Sequence, residues 1–131
     1  MSLERPRSLL DPKDVGVFIL PGLPRELTIM LDTLRASHID CFDIENIDQP
    51  AWTAPQLWEL METPKWRQLL IIAADLDTYE IGLATMALEK GFNVFFASQK
   101  LSENHAGVAR LRQASVIVTT LQQAIDELEL T

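Results

Sequence analysis

The sequence predicts an α/β fold: a three-layer α/β/α sandwich, Rossmann-like, with a five-stranded parallel sheet in the order 2-1-3-4-5. Three observations carry this expectation. Short apolar runs alternate with helix-period segments five times between residues 15 and 128. The run Leu69–Ala74 is apolar without interruption, as in strands buried on both faces. Two segments open with helix-capping signatures, at Thr53 and at Thr120. Alternation of this kind gives parallel strands joined by right-handed crossovers and covered by helices on both faces.

Each element follows in order. Val15–Leu20 reads as the first strand and Pro21-Gly22-Leu23-Pro24 as a turn. Leu27, Met30, Leu31 and Leu34 then fall at i, i+3, i+4 and i+7, one face of a helix. Ile39–Ile44 is the second strand. Thr53 and Gln56 have capping-box spacing, and Trp52 with Leu57 occupy the positions of a hydrophobic staple, so the second helix is expected to begin there. Leu69–Ala74 is the third strand, followed by a helix that ends at Gly91. Asn93–Ala97 is the fourth strand. Ser102 is placed to cap a helix with Val108 and Leu111 on its core face. Ser115–Val118 is the fifth strand, and Thr120 with Gln123 repeats the capping box before Ile125 and Leu128. Residues 1–14 carry mixed charge and two prolines and read as a flexible N-terminal arm, leaving 15–131 as one α/β domain.

Composition narrows the function classes. A chain of 131 residues with 47% hydrophobic and 23% charged residues is an ordinary single globular domain. The formal net charge of −8 disfavours nucleic acid and anionic membrane as partners. No apolar run approaches the roughly 20 residues that span a bilayer. The single cysteine, Cys41, excludes an intramolecular disulfide and suits a cytoplasmic location.

The most informative stretch is Leu69–Gly91, LLIIAADLDTYEIGLATMALEKG. A buried strand runs into a helix N-terminus, where α/β enzymes place a nucleophile or an anion. This segment resembles the nucleophile turn of the isochorismatase-like, nicotinamidase-related cysteine hydrolases, whose catalytic Cys lies twelve residues before the Gly that closes the helix. Counted back from Gly91, that position is Tyr79, with Asp77 at the acidic position two before it. Asn46–Trp52 (NIDQPAW), Gly91–Ala97 (GFNVFFA), His105–Ala114 and the Thr119–Thr120 pair also resemble the family's smaller bacterial members. The similarity spans Asp40 to Leu128. Upstream, one helix separates the first two strands where family members carry an additional strand and lid.

The resemblance implies a Cys thiolate that attacks a carbonyl or imine carbon, an Asp that shuttles the proton and a Lys that lowers the thiol pKa. Carried across, the Asp position falls at Leu20, the Lys position at Glu45 or Asn46 and the Cys position at Tyr79. None retains the chemistry. A Tyr hydroxyl, with a pKa of about 10, is a poor nucleophile without a strong base beside it. The expectation is therefore a protein of this fold that has lost catalysis and serves as a small-ligand binder or an oligomeric scaffold. Its candidate pocket comprises Leu20, Gly22, Glu45, Asn46, Asp75, Asp77, Thr78 and Tyr79, with no catalytic residue, cofactor or metal. The resemblance also implies a cis peptide between Ala74 and Asp75.

Two rival functions stand beside this one. The first is an active hydrolase of small amides or esters that uses Tyr79, Glu45 and Asp77. The second is a divalent-metal phosphodiesterase, because Asp43 and Glu45 end one strand, Asp75 and Asp77 follow another, and Asp75-Leu76-Asp77-Thr78-Tyr79 resembles a turn of PIN-like nucleases. Against it, Leu20 stands where such nucleases need an Asp, and solvated or helix-capping carboxylates explain the acidic set more simply. Pro21-Gly22-Leu23-Pro24 offers too few N–H donors for a phosphate loop, and no Lys follows the fifth strand as response regulators require. Cys41 reads as an inert thiol in mid-strand, and His38 and His105 as structural residues. Finally, the helix Thr78–Lys90 carries apolar residues on several sides (Ile81, Leu83, Ala84, Met86, Ala87, Leu88) and small residues at Gly82 and Ala84. With Trp58 and Trp66 nearby, this predicts a homodimer or larger assembly.

Overall fold

The apolar runs become five parallel strands: β1 (Val15–Ile19), β2 (Asp40–Asp43), β3 (Gln68–Ile72), β4 (Asn93–Ser98) and β5 (Ile117–Thr120). A computed structural model describes residues 9–45, 49–62, 66–98 and 106–128. The sheet order is β2-β1-β3-β4-β5, as the sequence predicts. Every pairing is parallel, with Val17 opposite Cys41 on one side and Leu70 on the other. All five residues of both β1 and β3 are buried, which accounts for the apolar runs Val15–Ile19 and Leu69–Ile72; the buried Gln68 amide is hydrogen-bonded.

The helices are α1 (Arg25–Arg35), α2 (Pro55–Glu62), α3 (Thr78–Glu89), α4 (Ala106–Gln113) and α5 (Leu121–Glu127). Alternation along each strand feeds two cores. On one face Phe18, Leu69, Ile71 and Phe96 pack with Leu57, Leu83, Ala87 and Leu111 from α2, α3 and α4. On the other face Val17, Ile19, Leu70, Ile72 and Phe95 pack with Leu27, Leu31, Leu34 and Ile125 from α1 and α5. Burying each of the Val, Leu, Ile and Phe side chains among them is worth about 1.5–3 kcal/mol. No described helix is long and apolar enough to cross a membrane.

Helix ends show where local signals win. Thr120 caps α5, accepting from the Gln123 N–H at 3.1 Å, although the Gln123 side chain turns to Glu127 instead of completing the box. Gly91 closes α3 with φ +92°, the left-handed conformation that glycine adopts without strain. The expected cap at Thr53 does not form. Residues Ala51–Thr53 make a 3-10 turn in which the Thr53 hydroxyl donates to the Pro50 carbonyl at 2.7 Å. The helix starts instead at Pro55, a first-turn position where the missing N–H costs nothing. Ser102, the expected cap of α4, and His105 lie outside the described residues.

Residues 9–14, part of the segment read as an arm, are docked. Leu10 is fully buried in the core shared with α1 and α5. Gln68 holds the segment from both sides, accepting from the Asp11 N–H at 2.7 Å and donating to the Leu9 carbonyl at 2.8 Å. The described peptide bonds include no cis bond, so the expectation at Ala74–Asp75 is not met.

Most of the apolar surplus of α3 is covered within the chain, with Ile81 and Leu88 half-buried. Leu83, Ala84, Met86 and Ala87 are all buried, and the ring of Trp52 lies over Gly82. Trp66 is buried too, with its ring against Gly16 and Phe42 and its Nε1 donating to Asp40 Oδ2 at 2.9 Å. Neither Ala84 nor Trp66 is available to a second subunit.

Candidate functional site

The strand-to-helix turn after β3 sets the geometry. Leu76 is buried beneath it, while Asp75 and Asp77 face solvent. Asp75 accepts from the Leu76 N–H at 2.7 Å, and Asp77 is the N-cap of α3. Glu80 returns its carboxylate to the Asp77 N–H at 3.2 Å, completing a capping box. Tyr79, the second residue of the helix, is thereby turned inward, with 8% of its surface exposed.

Tyr79 borders a cleft of about 850 Å³ that opens along β2 and the start of α2. Phe42 and Ile44 from β2 and its exit, and Leu57 and Leu60 from α2, form apolar walls, and Glu45 supplies a carboxylate. The Tyr79 hydroxyl is buried and has no hydrogen-bond partner among the described residues. Burial, and then the neighbouring Glu80 charge, raise its pKa above the usual 10. Burial also raises the pKa of Glu80, against which its backbone hydrogen bonds pull downward. Cys41, at the same strand, is likewise pushed up by burial, with Arg35 opposing. Its Sγ donates to the Ile39 carbonyl at 3.5 Å, which suits an unreactive thiol.

Of the expected pocket residues, Glu45 and Tyr79 meet at this cleft. Leu20 is buried in the core, with its N–H donating to the Ile72 carbonyl at 2.9 Å, and does not border it. Gly22 sits in an exposed turn, Asp75 and Asp77 serve the local turn, and Thr78 borders a separate cavity. Asn46 lies outside the described residues. The four carboxylates expected to converge do not do so: Asp43 pairs with Arg35, and no three His, Cys, Asp or Glu side chains gather as metal ligands among the described residues.

Phe42, Leu57, Leu60 and Glu80 were not in the expected site. Period-two alternation from Phe42 to Ile44 places both on one face of β2 and its exit, and is a usable signal. So was the Asp-x-x-Glu spacing of Asp77 and Glu80. Leu57 and Leu60 have no such local signal, because only the seating of α2 brings them to the cleft.

No family model and no curated protein matches the sequence. Solved structures do match in fold. The YcaC gene product of Escherichia coli, described as an octameric hydrolase of unknown specificity, superposes with a TM-score of 0.70 at 17% identity, covering 98% of this chain and 85% of its own. This chain shares the fold of YcaC. YcaC from Pseudomonas aeruginosa, solved with hexane-2,5-diol and covalent acrylamide, gives a TM-score of 0.71 at 16% identity over 98% and 86% of the two chains. The MAR1 ribonuclease of Caenorhabditis elegans is more distant, with a TM-score of 0.60 at 13% identity over 92% and 83%. The shared fold agrees with the five-stranded parallel sheet, in the order 2-1-3-4-5, that the sequence predicts. At these identities the likeness is one of fold alone.

Proposed function

We propose that this chain is a non-hydrolytic protein of the isochorismatase-like fold, binding a small molecule in the Tyr79 cleft and working as an oligomer. The observation that carries the reading is the state of Tyr79. At the position where the resemblance puts the nucleophile stands a buried phenol, held protonated, with no described group placed to take its proton. Nucleophilic catalysis needs a lowered pKa or an adjacent base. The volume of the cleft, about 850 Å³, falls in the range of small-molecule sites. The octameric state of E. coli YcaC supports self-association on the same fold. The single thiol, Cys41, suits a reducing compartment, and we assign the chain to the cytoplasm on that ground.

The ribonuclease among the fold relatives raises phosphodiester cleavage as a rival. The carboxylates do not favour it, since Asp43 is engaged by Arg35 and Asp77 caps α3. The test is an activity panel: nicotinamide, chromogenic esters and amides, and single-stranded RNA with and without Mg²⁺. All rates are expected to equal those of buffer. Ester or amide turnover that disappears in Tyr79→Phe overturns the proposal in favour of an unconventional hydrolase, and Mg²⁺-dependent RNA cleavage overturns it in favour of a nuclease.

A further inference from the structure

A second cavity, of about 360 Å³, lies along α3 and is bordered by Trp52, Trp58 and Arg110 of α4. It shares no described lining residue with the Tyr79 cleft. Trp52 and Trp58 remain 49% and 36% exposed, two of the four exposed large hydrophobic residues among those described. Tryptophan is usually well buried, so a pair of exposed indoles bordering one cavity needs a physical account.

Both rings are held in place. Trp52 lies over Gly82, whose missing side chain makes the room: a Cβ there would sit 2.6 Å from Trp52 Cζ3. Trp58 donates its Nε1–H to the Trp52 carbonyl at 2.7 Å and carries the Lys90 ammonium 4.1 Å from its ring centroid. The indoles are thus rigid walls whose ordering cost is already met by contacts within the chain. Among the lining residues Glu89 from α3 and Arg110 from α4 supply one charge of each sign.

We propose that this cavity is a binding site for a small aromatic zwitterion, a free aromatic amino acid or a close analogue. One ring lies against the Trp52 and Trp58 indoles, the carboxylate faces Arg110 and the ammonium faces Glu89. The volume is at the lower end of small-molecule sites, which suits a ligand of one ring and a short charged arm. Aromatic pairs add attraction beyond the area they bury, and the two charges reject ligands that offer only one sign.

The test uses the whole chain and reads tryptophan emission, since Trp52 and Trp58 border the cavity while Trp66 is buried. Three matched probes are titrated: phenylalanine, 3-phenylpropionate and phenethylammonium. A saturable change is expected, tightest for phenylalanine. Glu89 and Arg110 are exposed, so their variants keep the fold. Arg110→Gln is expected to weaken phenylalanine roughly tenfold and leave phenethylammonium unchanged, and Glu89→Gln to weaken it roughly tenfold and leave 3-phenylpropionate unchanged. Emission indifferent to all three probes, or equal affinity for all three, overturns the proposal. Emission that shifts on dilution without any probe also overturns it, by placing a second copy over the indoles.

Discussion

The indole of Trp66 occupies the space that a side chain at Gly16 would need: a Cβ at Gly16 would lie 2.6 Å from Trp66 Cδ2 and 2.7 Å from Cε3. Gly16 sits in β1, and Trp66 leads into β3, with its Nε1 tied to Asp40 of β2. One ring therefore joins three adjacent strands. Gly16→Ala is expected to destabilise the protein by about 1–3 kcal/mol, because the ring is held by Asp40 and Phe42 and cannot retreat freely. Urea unfolding measures this. An unchanged midpoint would show that Trp66 moves away at little cost.

Tyr79→Phe removes a buried hydroxyl that has no described partner. Leaving such a group unpaired costs about 1–3 kcal/mol, so the variant is expected to gain stability, by about 1 kcal/mol after the lost packing of one atom. The same substitution is expected to leave every hydrolytic rate at the buffer level. A clear loss of stability would reveal a partner for the hydroxyl and change the reading of the cleft.

Glu80 sets a pH dependence of known sign. Burial raises its pKa in the folded chain above its ordinary 4.5. The folded state then binds its proton more tightly than the unfolded state, so the contribution of Glu80 to stability is most favourable below pH 4.5 and declines as pH rises through the raised value. Glu80→Gln keeps an acceptor for the Asp77 N–H and removes the titration. The difference in unfolding free energy between wild type and Glu80→Gln is expected to shift in favour of the variant as pH rises through this window. A difference that does not vary with pH would sink the assignment.

Self-association is expected to use surface other than the core-facing side of α3, because Leu83, Ala84, Met86 and Ala87 are buried within the chain. Light scattering at micromolar concentration is expected to give a multiple of 14.8 kDa. Leu83→Ala is expected to lower stability by about 2–5 kcal/mol as a core truncation without first dissociating the assembly. A monomer mass throughout the concentration range would refute the oligomeric part of the proposal.

Local chemistry by itself determined most of the architecture. The apolar runs at Val15, Leu69 and Asn93 are strands, Thr120 caps α5 and Gly91 closes α3, because burial pattern, side-chain capping and left-handed backbone geometry act over a few residues. Tertiary structure decided the rest. Thr53 lost its capping role when Ala51–Thr53 formed a 3-10 turn and Trp52 came to lie over Gly82, a contact across 30 residues of sequence. Glu45 and Tyr79 meet at one cleft, while Leu20, Asp75 and Asp77 are drawn into the core and the local turn. Whether a residue borders a cavity depends on which helix seats beside which strand. That is set by the summed packing of many distant side chains, and no short segment contains it.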